Sequence, residues 1–185
     1  MCTLRAKTIG GASLGLYENQ SITELDSHAN MAVVGRDCMI IAKSGHHANV
    51  TPFSEDLPVI EKVEIGDVAV AYGNLYLLET YLLVKRNVLL IPLMDHNLLP
   101  PFLVREASLF LDETPKFQST EVWLENHTIY DEVTGLRIHL QLNGTFSYFV
   151  TQSLTLEEQE NWESYPVVYL TPNSDQWDPP CITFC

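Results

Sequence analysis

Basic side chains are scarce in this chain. Lysine and arginine together number 10 against 24 aspartates and glutamates, a formal charge of −14. Such a surface repels phosphate, and no run of Lys or Arg offers a local exception, so nucleic acid is excluded as a primary partner. Cysteine is sparse too: Cys2, Cys38, Cys181 and Cys185 are all there are. That usage suits a reducing compartment, where thiols stay free. The close pair Cys181 and Cys185 has no histidine beside it and does not fit a zinc site, so no metal is expected. Long apolar runs are missing as well. The two longest, residues 75–84 and 88–94, are broken by Glu79 and Pro92 and separated by Lys85-Arg86, so no membrane span is expected. Arg5 and Lys7 are followed by no apolar stretch of signal-peptide length, and a cytoplasmic location is the expectation. Tandem repeats and low-complexity tracts are absent.

What is present suffices for a core: 46% of the 185 residues are hydrophobic, enough for one ordinary domain with tails. The apolar residues come in short runs punctuated by Gly, Asn and Pro, which predicts a mainly β fold. Residues 1–19 read as a lead-in. Strands are predicted at 22–25, 32–34, 39–42, 59–65, 68–72, 75–84 and 87–91, with a turn at 43–47 and a bulge or turn at Gly66-Asp67. Gly73-Asn74 is a tight-turn signal. At Pro100-Pro101 the period changes, and a short helix is predicted over residues 102–110. A strand pair is expected around 116–124 and 127–130. Residues 136–142 alternate cleanly as a strand, and Asn143-Gly144 turns the chain back into 145–150. From 151 to 185 the chain is acidic and proline-containing, and a mostly solvated tail is expected, with a short helix starting at Thr155.

Two segments carry chemistry. The first is Glu24-Leu25-Asp26-Ser27-His28-Ala29-Asn30-Met31-Ala32-Val33-Val34-Gly35, entered from a short strand. It sets a carboxylate, a hydroxyl and an imidazole side by side and then becomes apolar. Taken alone, Asp-Ser is also ordinary turn chemistry. A strand ending in Asp-Ser and followed by small and apolar residues is, however, similar to the catalytic segment of aspartic proteases: Asp, then Ser or Thr, Gly, Ala. His28 stands where Gly is expected. The second segment, Arg86-Asn87-Val88-Leu89-Leu90-Ile91-Pro92-Leu93-Met94-Asp95-His96-Asn97-Leu98-Leu99, resembles one reading Asn-Val-Leu-Tyr-Val-Pro and, shortly after, Asn-Leu-Leu. With residues 135–149 as a third, weaker match, the chain resembles the retropepsin-like aspartic proteases, in particular those of copia-type retrotransposon Gag-Pol polyproteins.

The resemblance implies a retropepsin-like closed β-barrel with one short C-terminal helix over residues 20–112. A β-rich hairpin extension at 113–150 and the acidic tail would follow, and a flap would lie near 51–58. It implies an endopeptidase acting on a polypeptide substrate without cofactor. Asp26 would be catalytic, with Ser27, His28 and Ala29 forming the active-site loop. Asn30 would bind substrate backbone, and Asn97, Leu98 and Leu99 would pack behind the loop. The chemistry needs two carboxylates sharing one proton, one acting as base toward water while the other donates to the scissile carbonyl. The chain holds one such motif, so a homodimer with twofold symmetry must bring two copies of Asp26 together.

Departures from the pattern support other readings. His28 adds bulk where Gly lets a substrate approach, and the Gly expected after the apolar pair at 97–99 is also missing. A catalytically impaired dimerisation or peptide-binding module of the same fold is therefore the alternative, and a β-rich domain unrelated to proteases is a third. Ser27-His28 does not read as a serine-hydrolase pair, since strand neighbours point to opposite faces and no nucleophile elbow is present. His46-His47 reads as loop. The protease reading requires Asp26 on a loop beside residues 97–99, with a helix from Pro101 behind it.

Overall fold

A computed structural model describes residues 20–51, 58–74, 78–118 and 125–172. The lead-in at 1–19, most of the expected flap (52–57), the start of the strand expected at 75–84 (75–77), most of the strand expected at 116–124 (119–124) and the tail from 173 lie outside them. Among the described residues twelve strands and two short helices follow in order: β1 (Gln20–Leu25), β2 (Val33–Val34), β3 (Met39–Val50), β4 (Ile60–Asn74), β5 (Glu79–Leu90), β6 (His96–Leu99), α1 (Pro101–Glu106), β7 (Phe110–Asp112), β8 (Thr128–Tyr130), β9 (Arg137–His139), β10 (Gln141–Asn143), β11 (Phe146–Gln152), α2 (Leu156–Glu160) and β12 (Val167–Tyr169). The fold is mainly β, as the sequence predicts.

The main sheet is organised on the long antiparallel pair β4–β5, in register from Ile65↔Leu89 to Asn74↔Glu79 with a shift between Gly66 and Val68. Alternate residues of these strands enter different cores. Val68, Val70, Tyr81 and Leu83 join the main cluster, whereas Ala69, Ala71, Leu82 and Val84 pack with Leu154 and, less deeply, Trp162, Tyr165 and Val167. A sheet covered on both faces gives near-continuous apolar runs, which explains why the alternation here is weak in the sequence.

Around that pair the order is β10-β11-β1-β6-β2-β5-β4-β3, with β12 parallel to β5. β6 lies between two strands that precede it in the chain. It runs parallel to β1 (Ile22↔His96 to Leu25↔Leu99) and antiparallel to β2 (Val33↔Leu98). β11 pairs with β1 along five residues and meets β4 at Gln152↔Ala71, so the pairings from β11 through β1, β6, β2, β5 and β4 return to β11. A separate sheet, β7-β8-β9, packs its Ile129 and Ile138 into the main cluster.

Several local expectations are corrected. Residues 43–47 continue strand β3, and the Gly45 φ of +77° accompanies register shifts rather than a chain reversal. β5 runs unbroken through Lys85-Arg86. The predicted helix over 102–110 stops at Glu106, because Ser108 adopts a left-handed φ of 64° and Phe110 enters β7. The single strand predicted over 136–142 divides at Leu140, whose N–H turns to the His127 carbonyl (2.9 Å); β9 and β10 then serve different sheets. Lys116–Gln118 is a single 3-10 turn rather than strand. The tail is not solvated over 151–172: Thr151, Leu154, Val168 and Leu170 are buried, Leu154 covering the outer face of β4–β5 while Val168 and Leu170 join the main cluster. Its expected helix does form, with a capping box in which Thr155 and Glu158 satisfy each other's backbone N–H groups.

Candidate functional site

Parallel pairing of β1 and β6 brings the two motif segments to one end of the sheet. Glu24 faces Leu98 and Leu25 faces Leu99, and the Asp26 N–H continues the ladder onto the Leu99 carbonyl at 3.1 Å. α1 starts two residues beyond Leu99, its first turn fitted by Pro101. Asp26 is 4% exposed, Ala29 is buried, and Ser27, His28 and Asn30 are exposed. Asp26 Oδ1 accepts the His28 backbone N–H at 2.9 Å, an aspartate turn that fixes the loop. The His28 ring lies over the same carboxylate, with Nδ1 3.7 Å from Asp26 Oδ1 and 3.5 Å from Ser27 Oγ.

Beneath the loop is a buried polar network. Asn97 Oδ1 accepts the Gly35 N–H at 2.9 Å, and its Nδ2 donates to Ser21 Oγ (3.2 Å) and Thr23 Oγ1 (3.4 Å). One side chain of β6 thus ties both neighbouring strands' ends. A Cβ on Gly35 would fall 2.2 Å from the Met94 carbonyl oxygen, so this close approach needs glycine. Lys85 reaches in from β5 with no exposed surface and donates to Thr23 Oγ1 at 3.0 Å. Burial holds the Lys85 ammonium below the ordinary lysine value, against a smaller opposing effect of Cys38, and burial likewise pushes the Cys38 thiol up. Among the described residues no buried side-chain nitrogen or oxygen lacks a partner.

Two clefts meet at His28. One, of about 430 Å³, lies between Asp26, Ser27 and His28 and the walls Glu113, Phe117 and Ser147. The other, of about 410 Å³, runs from His28 and Asn30 past Met31 to Val50, Thr51 and Leu89, where β3 ends at the loop end of the β3–β4 hairpin. Asp26, Ser27, His28 and Asn30 therefore share one surface. Ala29 packs inward, and Asn97, Leu98 and Leu99 lie behind as a support and do not line either cleft. Arg105 of α1 pairs with Glu113 (2.6 Å), fixing one wall.

Sequence reasoning missed Lys85, Ser21 and Thr23 as the floor of the site, and Glu113, Phe117 and Ser147 as its wall. Lys85 stands in the polar triplet Lys85-Arg86-Asn87 and nothing local marks it as buried; nothing local marks the wall either. Among the described residues no three His, Cys, Asp or Glu gather as a metal site, and no helix is long and apolar enough to cross a membrane. Comparison with protein-family models, with curated proteins and with solved structures finds no match to this chain.

Proposed function

We propose that this chain is a retropepsin-like aspartic endopeptidase domain of a copia-type retrotransposon polyprotein, working as a homodimer without cofactor. The observation that carries the reading is the pairing of Asp26 with Leu99 at the parallel ends of β1 and β6, with α1 directly behind. This is the arrangement the two sequence motifs require of one another. The ring of pairings from β11 back to β11 is consistent with a closed barrel, and the long β3–β4 hairpin stands where a flap would arise.

In this reading each copy contributes one Asp26. One carboxylate takes a proton from the attacking water while the other donates to the scissile carbonyl, and the proton returns on the amine leaving group. Ser27 and the His28 backbone N–H hold the loop. Asn30, exposed on the hairpin-side cleft, meets the substrate backbone without adding charge. The Asn97 network supplies the rigidity that keeps the two loops in register.

A non-catalytic peptide-binding module is the second reading, favoured by the His28 ring standing over a carboxylate that is almost closed off. Incubation of the purified chain with polyprotein-derived peptides separates the two. Cleavage that disappears in Asp26→Asn, with the dimer intact by sedimentation, supports the protease. Binding without cleavage supports the module, and unchanged cleavage in Asp26→Asn rejects Asp26 as the catalytic group.

A further inference from the structure

The extension and the end of β7 before it bring together a serine, an imidazole and a carboxylate from three separate places in the chain. Ser147 lies on β11, His127 immediately precedes β8, and Asp112 ends β7. Ser147 Oγ is 2.8 Å from His127 Nε2, and both residues are buried. Burial keeps the His127 ring below the ordinary imidazole value, so it is neutral near pH 7. Asp112 and a hydrogen bond from the ring to the Leu140 backbone act in the opposite direction. In the tautomer that leaves Nε2 unprotonated, the ring accepts the Ser147 hydroxyl proton, the arrangement in which an imidazole activates a serine.

The imidazole is also fixed in place. His127 has a left-handed φ of 57°, a conformation that costs a non-glycine residue free energy, and its backbone is clamped on both sides. Asp112 Oδ2 accepts its N–H at 3.2 Å, and its carbonyl accepts the Leu140 N–H at 2.9 Å. Burial would raise the Asp112 carboxyl, but hydrogen bonds from Thr114, His127 and Asn126 outweigh it and hold the group ionised. An ionised Asp112 favours the imidazolium that forms when His127 takes a proton. Ser147 opens on the cleft of about 430 Å³, whose apolar walls include Pro115, Phe117, Leu142 and Phe146.

We propose that Ser147 is an activated nucleophile that accepts acyl groups from small carboxylic esters, with His127 as its base and Asp112 supporting the charge. Ser147 Oγ bonds to the ester carbonyl carbon as its proton passes to His127 Nε2. The carbon–oxygen bond to the alcohol breaks, and His127 returns the proton to the departing oxygen. Water then attacks the acyl-serine, giving its proton to His127, and the carboxylic acid leaves as Ser147 regains its hydrogen. This activity shares the cleft that Asp26 lines but does not use the Asp26 carboxylate.

The test treats the full chain with an aryl fluorophosphonate, in which an oxygen–phosphorus bond forms at the serine and fluoride leaves with the proton. The expected result is one adduct per chain, located on Ser147 by peptide mass mapping of the unmutated protein. Folded Ser147→Ala should not label, and His127→Gln, which keeps a hydrogen-bonding side chain, should label about 100-fold more slowly. Should either variant fail to fold, p-nitrophenyl acetate hydrolysis by the unmutated chain replaces it. A burst equal to the chain concentration, lost after fluorophosphonate treatment, supports the proposal. No adduct, an adduct elsewhere, or equal labelling in His127→Gln overturns it.

Discussion

Lys85 is a fully buried lysine in the core. Its ammonium lies with no exposed surface on Thr23 Oγ1, in β5 between Val84 and Arg86. Desolvation of a charge outweighs a single neutral hydrogen bond, so Lys85→Met should raise stability at pH 7 by about 2 kcal/mol. The pH dependence fixes the sign. Burial depresses the folded-state value below the ordinary one of about 10.5. Across that interval the unfolded chain holds a proton that the folded chain lacks, so stability rises with pH. Urea denaturation at pH 7 and pH 10 should show this rise in the parent chain and a smaller one in Lys85→Met. Equal slopes would mean the ammonium finds compensation in the core. His127 follows the same rule at lower pH: its depressed value means stability is retained above about 6.5 and falls as the pH drops toward the folded-state value. His28 acts by shape, since its ring separates the two clefts. His28→Gly should join them and broaden the range of side chains accepted in a peptide library; an unchanged profile would remove His28 from the substrate path.

β6 is the element on which the site depends, because it is gripped by β1 on one side and β2 on the other. Asn97 makes that grip specific through Gly35, Ser21 and Thr23. Asn97→Ala would strand these buried groups and should cost about 2–4 kcal/mol by urea denaturation, far more than the loss of about 1 kcal/mol expected for the helix cap in Thr155→Ala. Similar losses for the two would show that the network is not a structural hub. Elements with strong local signals were legible in the sequence: the strand delivering Asp26, the Gly66 irregularity, the Pro-led helix and the Asn143-Gly144 turn. Those decided by distant partners were not. Leu140 divides an alternating strand because its N–H is claimed by His127. Leu154 of the tail is buried because the outer face of β4–β5 needs a cover. The cleft wall at Glu113 and Ser147 exists only once β11 has paired with β1, and no spacing in the chain announces that.

At the scale of the molecule, the extension and the tail complete the same sheet and core as the segments carrying the motifs. Phe149 of β11 and Val168 of β12 sit in one cluster with Leu25 and Leu99. Removing residues beyond 112 should therefore unfold the protein rather than release a smaller protease, which circular dichroism of a truncated chain would check. Under the proposed protease reading one copy lacks a second carboxylate of the same kind, which a second chain supplies. Mixing the parent chain with Asp26→Asn tests this directly, with peptide cleavage followed at constant total protein after subunit exchange. If each site needs Asp26 from both copies, activity follows the square of the parent fraction, and an equal mixture retains about one quarter of it. An equal mixture retaining about one half would mean that each chain works alone, contradicting the shared site.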